Sequence, residues 1–465
     1  MYLIFDTETT GLPLDWKAPL TNFENWPRCV QLAWQMHDKK GKLIDVKNYI
    51  IKPDGYNIPF NAEKIHGIST ERANNQGIDI KAVLTEFVDD LKKSQFIIGH
   101  NVSFDINIIG CELLRLGMSN FLDDLASIDT KNESTEFCAI PGGKGGRFKW
   151  PTLLELHKKL FNEEFSEAHN ASADVEATSR CFLELVRLGV INSDKVGLNE
   201  DQFKNFTDLN NKPFDLIGLN IEPYSPITED ADTTDHILES DNEAINNIIS
   251  ESAFSHLHVH SQFSILTGTI DIDNLVNKAV EFGMPAVGLT DHANMYGAYK
   301  FIDTINKHPI NSNNETALKA VIGCELSICK DHTNKNQRDD GFQIPFLCKN
   351  KLGFHNLAML SSEANTNGFY YLPRIDKNLI LKYRQGLIAL TGSIYGVIPN
   401  LILNVGEKQA EEEFKWWVKE FGDDFYVEIN RHNLEEENHV NKILLHFATK
   451  YNVKIIASNN VYYLN

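Results

Sequence analysis

The chain has 465 residues, of which 42% are hydrophobic and 23% charged, and its formal net charge is -20. This is the composition of an ordinary globular protein that is too long for one compact core, so two or three domains are expected. The negative charge argues against binding a polyanion over the whole surface.

No apolar run approaches the roughly 18 residues of a membrane span, and an acid already occurs at Asp6, too early for a signal peptide. Seven cysteines without a C-x-x-C pair predict reduced core residues rather than disulfides or a zinc ribbon. We therefore expect a cytoplasmic protein with no membrane partner.

The first part of the chain has a mixed α/β pattern. Apolar runs at 2–5, 30–36, 47–51 and 96–99 predict strands. The segment "IKAVLTEFVDDLKK" has apolar residues at a helical period, and "FDINIIGCELLRLG" predicts a second helix that ends at Gly117.

A polar, acidic stretch follows, with no lysine or arginine between Lys212 and Lys278 and with prolines at 213, 223 and 226. Such a composition cannot bury much apolar surface. We therefore predict a first domain at 1–190, an acidic linker at 191–252 with a short helix at 244–249, and a second domain at 253–465.

In the second domain, short apolar strands alternate with helices. The strands are predicted at 286–290, 319–328, 386–392, 425–429 and 453–458. This alternation predicts a mostly parallel α/β sheet, of a kind that can close into a barrel.

Two acids flank one threonine in "FDTETTGL", directly after the first predicted strand. Positions two apart in a strand point to the same face, so Asp6 and Glu8 would aim their carboxylates at one point. Two like charges held together need a cation or a proton between them. Taken alone, the pair also fits a solvated strand end that runs into a turn.

Further acids occur in contexts that favour a joint site. Asp105 in "HNVSFD" lies near the start of a helix that follows a buried strand, and "AHNASADVEAT" places His169 before Asp174. Each Asp alone is also explained by helix capping, because acids are enriched in first turns. Chance is a poor explanation for all three motifs in one order.

Residues 1 to about 187 resemble the DEDDh 3'-5' exonucleases, the family of the proofreading epsilon subunit of bacterial replicative polymerases. The motifs that carry the resemblance are "FDTETTGL", "HNVSFD", "HNASADVEAT" and "IHGI" at 65–68. The resemblance implies a ribonuclease H-like fold, in which a mixed sheet is flanked by helices.

The resemblance also implies that Asp6, Glu8, Asp105 and Asp174 bind two Mg²⁺ or Mn²⁺ ions, with His169 as the general base. Hard carboxylate oxygens suit these ions, and two ions about 4 Å apart can stabilise both oxygens of an in-line displacement at phosphorus. An imidazole can accept the proton of the attacking water near neutral pH.

The implied substrate is DNA with a 3' end, single-stranded or at a mispaired primer terminus, although sequence does not separate DNA from RNA. Thr7, Thr9 and Asn101 are expected to contact the terminal nucleotide. His66 matches the family's wall for the 3'-terminal sugar and base; a surface histidine before a turn glycine is the alternative.

The loop "GGKGGRFKW" at 142–150 either guides the DNA strand or is an exposed glycine loop anchored by a core tryptophan.

Residues 254–465 resemble the polymerase and histidinol phosphatase (PHP) domain at the N-terminus of the bacterial replicative polymerase alpha subunit. The matching segments include "HLHVHSQFSILTGTI", "GLTDHANMYG" and "GFYYLPRID". The resemblance implies a distorted (β/α) barrel with nine metal ligands, of which His258, His260, His292 and Glu325 match four.

The other five ligand positions are changed, to Thr267, Gln343, Ser393, Asn460 and Tyr462. These changes remove most of the charge that would hold a metal cluster. We therefore expect a structural PHP domain without phosphoesterase activity, whose four retained ligands could hold one Zn²⁺.

The favoured prediction is a metal-dependent 3'-5' exonuclease that hydrolyses DNA to nucleoside monophosphates, with an appended PHP domain. The catalytic palm of an alpha subunit is not recognisable, so we expect no polymerase activity from this chain. One alternative is an interaction module whose PHP domain docks on a polymerase or another replisome subunit, and a weaker one is an active PHP phosphoesterase.

Overall fold

The computed structural model describes residues 1–163, 170–215, 254–312 and 317–464. The chain divides into two compact units, Met1–Ile227 and Thr228–Asn465. Each unit has its own hydrophobic core and its own sheet.

The first unit is built on a mixed sheet with strand order β3-β2-β1-β4-β5. Its strands are β1 (Tyr2–Thr9), β2 (Cys29–His37), β3 (Leu43–Ile50), β4 (Phe96–Gly99) and β5 (Ala126–Asp129). β2 pairs antiparallel with both β1 and β3, whereas β1, β4 and β5 run parallel.

Helices cover both faces of this sheet. They are α1 (Phe60–His66), α2 (Thr70–Gln76), α3 (Ile80–Leu91), α4 (Val102–Arg115), α5 (Thr130–Cys138), α6 (Leu153–Phe161), α7 (Ala171–Arg187) and α8 (Glu200–Leu209). Leu3 and Phe5 pack into a core with α3 and α4, while Tyr2 and Ile4 pack into a second core with α7. The apolar run of β1 is continuous because both of its faces are buried.

These elements confirm the predicted mixed sheet flanked by helices. The strand predicted at 96–99 has those bounds in the structure, and the strand predicted at 2–5 extends to Thr9. The extension matters for the site, because it places Asp6 and Glu8 inside β1 rather than in a turn after it.

Part of the predicted linker is folded into the first unit. Within 191–215, α8 begins with a capping box of Asn199 and Gln202, and Phe206 is buried in the core beside α7. Phe214 packs against Phe206, with their ring centroids 6.2 Å apart. The prediction missed this helix because its few apolar residues lie in a polar sequence. The short helix predicted at 244–249 lies outside the described residues.

The second unit contains a curled sheet of order β12-β11-β10-β8-β7-β6. The strands are β6 (Ala286–Leu289), β7 (Lys319–Ile328), β8 (Phe342–Cys348), β9 (Arg374–Ile375), β10 (Leu387–Leu390), β11 (Phe425–Ile429) and β12 (Lys454–Ala457). β8 is antiparallel to β7 and β10, whereas β9 pairs parallel with β7.

The segment 256–261 connects the two edges of this sheet. The Gly288 N–H donates to the His256 carbonyl at 2.7 Å, and the His260 N–H donates to the Val461 carbonyl at 2.8 Å. The helices of this unit are α9 (Ile272–Glu281), α10 (Ala298–Lys307), α11 (Lys351–Thr366), α12 (Lys377–Tyr383), α13 (Val397–Asn404), α14 (Glu407–Phe421) and α15 (Glu435–Tyr451). The predicted distorted (β/α) barrel is confirmed, and the antiparallel β8 is its distortion.

Candidate functional site

Three carboxylates meet at the end of β1 in the first unit. Asp6 and Glu8 project from the face of β1 that packs on α7, and Asp174 lies in the first turn of α7. Each offers a carboxylate oxygen, and the three oxygens lie within 4.8 Å of one another. The strand period and the start of α7 therefore bring together three of the four predicted acids.

Asp105, the fourth predicted acid, lies in the first turn of α4 and is buried. Its Oδ1 accepts the Thr7 backbone N–H at 3.0 Å and the Thr7 hydroxyl at 2.7 Å. Thr7 therefore fixes the orientation of Asp105, and both of its donors are used by that carboxylate. The contact of Thr7 with the terminal nucleotide stays a prediction.

Burial raises the pKa values of Asp6, Glu8 and Asp105, and the charges of neighbouring acids add to the shift of Asp6 and Glu8. Burial and then the charges of Asp105, Asp174 and Glu8 raise the pKa of Asp6 well above its usual value. Burial, with Asp174 and Asp105, raises the pKa of Glu8 to about 8. Burial also raises the pKa of Asp105 to about 7, although its hydrogen bonds from Thr7 act in the opposite direction. This site therefore carries negative charge that the surrounding protein does not neutralise.

Such a cluster fits divalent cations. Carboxylate oxygens are the ligands that Mg²⁺ and Mn²⁺ prefer, and a cation would remove the repulsion that raises these pKa values. The donor set consists of oxygens alone, so it favours hard ions over soft ones.

Side-chain amides hold the start of α7 against the sheet. Asn170 caps α7 by accepting the Ser172 N–H, and the Gln31 amide on β2 donates to the same Asn170 oxygen at 3.3 Å. The Gln31 carbonyl accepts the Ala171 N–H at 3.3 Å. The sequence analysis missed Gln31, because a buried glutamine within an apolar strand was its only signal.

The other predicted residues of this unit divide into three cases. His169, the predicted general base, lies outside the described residues. The Thr9 hydroxyl donates to the Gly11 carbonyl at 2.7 Å. The side chain of Asn101 accepts a hydrogen bond from Lys131, and its backbone N–H donates to Asp129 at 2.9 Å.

His66 ends α1 and is buried, so the alternative of a surface histidine is wrong. Its Nδ1 accepts the Ile68 N–H at 3.1 Å, which leaves the proton on Nε2. Burial lowers the pKa of His66 to about 4, against an opposing effect of the nearby Thr9 backbone, so the ring is neutral at physiological pH. Within the described residues Nε2 has no hydrogen-bond partner.

A second buried cluster lies inside the barrel. His258 is enclosed between two carboxylates, with Nε2 at 2.9 Å from Glu325 and Nδ1 at 2.9 Å from Glu428. Burial alone would lower the pKa of His258, but Glu428 and Glu325 raise it to about 10. The pKa of Glu325 is held below its usual range by His258 and His292, despite its burial. Here opposite charges compensate one another without an ion.

The remaining predicted PHP ligands surround Glu325. His292 Nδ1 lies 3.2 Å from one Glu325 oxygen, and His260 Nε2 lies 3.8 Å from the other. Burial lowers the pKa of His260 to about 4, and its ring stacks on Tyr462 at 4.2 Å between centroids. The four residues that match PHP ligands are thus brought together, and Tyr462 covers one face of the His260 ring.

The residues present fit one ion better than a cluster of ions. His258, His260 and Glu325 offer ligand atoms within 4.8 Å of one another, and His260 Nε2 makes no hydrogen bond among the described residues. Any ion would have to displace the contact of His258 with Glu325. Glu428, which the sequence analysis did not select, is the acid that balances His258.

Comparisons with known proteins agree with the two units. Residues 3–182 match a family model described as an exonuclease, and residues 256–432 match the PHP domain model. No described helix is long and apolar enough to cross a membrane.

Curated relatives are named DNA polymerase III subunit alpha. The protein of Borreliella burgdorferi is 38% identical over 218 residues, and that of Aquifex aeolicus is 40% identical over 222 residues. In each case the match covers 46% of this chain but only 18% of the relative. Among solved structures, the zinc-bound E. coli ExoI–ssDNA complex is 25% identical and covers 40% of each chain, with a TM-score of 0.31.

Proposed function

We propose that this chain, which carries an exonuclease domain followed by a PHP domain, is a metal-dependent 3'-5' exonuclease that proofreads during DNA replication. The observation that carries the proposal is the convergence of Asp6, Glu8 and Asp174 with the buried Asp105. The direction of digestion is supported by the resemblance of the three acidic motifs to 3'-5' exonucleases. The replication context is supported by relatives that are polymerase alpha subunits.

Asp6, Glu8, Asp105 and Asp174 would hold two Mg²⁺ or Mn²⁺ ions. When bound, these ions supply charge stabilisation for the attacking and leaving oxygens of the phosphodiester. Thr7 keeps Asp105 in place through two hydrogen bonds. The predicted role of His169 is to accept the proton of the attacking water as its oxygen bonds to phosphorus and the 3' oxygen of the next nucleotide leaves.

The neutral ring of His66 suits contact with an uncharged sugar or base. The resemblance implies that this ring forms the wall for the 3'-terminal sugar and base, beside the Thr9 backbone. A charged imidazole there would instead favour phosphate. The expected products are nucleoside monophosphates released one at a time from a 3' end.

Digestion of a 5'-labelled primer-template tests the proposal. With Mg²⁺ or Mn²⁺, a ladder should shorten from the 3' end, faster on a 3'-mismatched primer than on a paired one, and Asp6→Ala should remove it. A 3'-labelled primer should lose its label as mononucleotide in the first step. Shortening from the 5' end, or none with either metal, would contradict the proposal. An RNA primer of the same sequence measures the preference for DNA.

The PHP domain has a structural role in this proposal, because His258 already uses both ring nitrogens on carboxylates. Metal analysis should find at most one zinc associated with this unit. The Asp6→Ala protein should not hydrolyse a phosphomonoester such as p-nitrophenyl phosphate. Hydrolysis by that variant would show an active PHP phosphoesterase.

The same compensated cluster favours a second candidate function, an interaction module. A PHP barrel without phosphoesterase activity can still have a surface that binds a polymerase or another replisome subunit. Binding of the full Asp6→Ala chain to a purified polymerase III alpha subunit, followed by analytical ultracentrifugation, tests this. Comigration would support the module, and separate sedimentation at concentrations well above those in a cell would remove this partner.

A further inference from the structure

Trp150 is the exposed end of the glycine-rich loop 142–150. Its side chain is 64% exposed and that of Phe148 is 40% exposed, so the loop is not anchored by a core tryptophan. The exposed face of Trp150 is therefore accessible to a ligand.

The backbone on both sides of Trp150 is fixed. The Lys149 N–H donates to the Ile140 carbonyl at 2.8 Å, which closes the loop. On the other side, His100 Nε2 lies 3.0 Å from the Pro151 carbonyl, and Thr152 begins α6 with a capping box. A ring held in this way loses little conformational freedom when a ligand stacks on it.

Lys131 connects this ring to the acid cluster. Its Nζ lies 4.9 Å from the centroid of Trp150 and donates a hydrogen bond to the Asn101 side chain. Asn101 precedes α4, whose first turn carries Asp105. The ring, the cation and the phosphodiester site therefore follow one another along the same edge of the first unit.

We infer that Trp150 is a stacking position for an unpaired base of the DNA strand, upstream of the 3'-terminal nucleotide, and that Lys131 meets a phosphate of that strand. An aromatic face beside a cation matches the alternation of base and phosphate in a single strand. Arg147 is exposed in the same loop and adds a further positive charge. This inference rests on the proposed exonuclease function.

Steady-state digestion of a long oligothymidylate and of the thymidine dinucleotide tests the position. Trp150→Ala should raise KM about tenfold on the long substrate, leave kcat unchanged, and leave both constants unchanged on the dinucleotide. Trp150→Phe should restore most of the loss. Lys131→Met should reduce the salt dependence of KM on the long substrate, because one phosphate contact is removed.

Phe282→Ala is the matched control, since Phe282 is 60% exposed and has Lys278 at 4.8 Å from its ring, but lies in the second unit. It should behave as the wild type. Equal effects of Trp150→Ala on both substrates would indicate a structural role and overturn the inference, as would no effect on either.

A wild-type protein that digests neither substrate would contradict the proposed function, and equilibrium binding then decides the inference separately. Fluorescence anisotropy of labelled oligothymidylate in Ca²⁺ should show about tenfold weaker binding by Trp150→Ala than by Phe282→Ala. Equal affinities would overturn the stacking position.

Discussion

The acid cluster of the first unit is partly buried and the His–Glu cluster of the second is buried, and their charges are balanced in opposite ways. In the first, like charges raise the pKa of Glu8 to about 8. In the second, Glu428 and Glu325 raise the pKa of His258 to about 10, while that of Glu325 falls below its usual range. The charge of the first set of ligand residues therefore lacks compensation by the protein, whereas that of the second set is compensated.

The role of the acid cluster is tested most directly by a substitution at Asp174. Replacing this acid with Asn removes one charged ligand from the cluster and should lower the digestion rate by about a thousandfold or more, because metal ions contribute several kcal/mol to such a transition state. The rate is measured on a 3'-mismatched primer with saturating Mg²⁺. Asp208→Asn, an exposed acid on α8, is the control and should retain the wild-type rate. Comparable rates for the two variants would show that Asp174 holds no metal.

The balance of the second cluster can be broken at His258. His258→Leu leaves Glu325 and Glu428 buried without their cation, which should cost about 3–5 kcal/mol in the free energy of unfolding of the second unit. Hydrogen exchange of β7 and β11 during urea unfolding follows this unit separately. Lys349→Ala removes only the exposed ion pair with Asp424 and should have little effect. Wild-type stability of His258→Leu would mean that the cluster is not held by ionic contacts.

Different pH ranges of stability should sharpen the comparison. A carboxyl whose folded-state pKa is raised stabilises the fold at low pH, and this contribution is lost as pH rises from about 4.3, the unfolded value, to about 8 for Glu8. The first unit, stripped of metal, should therefore lose stability over that range, and Mg²⁺ should raise its Tm more at pH 8 than at pH 5. Glu8→Gln should flatten both dependences.

For the second unit the His258 contribution has the same sign but is lost at higher pH, and only the Glu325 contribution has the opposite sign. The raised pKa of His258 gives stability that is complete below about 6.5 and is lost as pH rises through about 10, while the lowered pKa of Glu325 gives stability that is lost as pH falls below about 4.3. Metal should change its Tm little between these limits. Scanning calorimetry with EDTA or Mg²⁺ distinguishes the units, and parallel pH profiles would contradict the contrast in charge.

Much of the fold could be predicted because the signals were local. The strand at 319–328 has the predicted bounds, and the alternation of strands and helices gave the barrel. Asp6 and Glu8 could be placed on one face because residues two positions apart in a strand point to the same side. What brings Asp174 to them is a contact between segments distant in the chain, which came from family resemblance rather than from periodicity.

The parts that escaped prediction depend on tertiary contacts. Helix α8 has too few apolar residues to be recognised, and Phe206 is identified as a core residue only by its packing beside α7. Glu428 lies in an apolar strand, where its sequence does not show that His258 will face it. No sequence signal shows that Asp105 accepts both hydrogen bonds that Thr7 donates.

The smallest expected effect distinguishes a β2 residue that positions the start of α7 from one that only packs in the core. Gln31→Ala removes two contacts to the start of α7 and should lower the digestion rate a few-fold, at a cost of about 1 kcal/mol in stability. Gln35→Ala, four residues later, removes a buried hydrogen bond to His37 instead, with a similar cost in stability and no change in rate. If both variants slowed digestion equally, loss of stability would explain the effect. A slower rate in Gln31→Ala alone would show that the position of Asp174 depends on the Gln31 amide, which does not itself contact the acids.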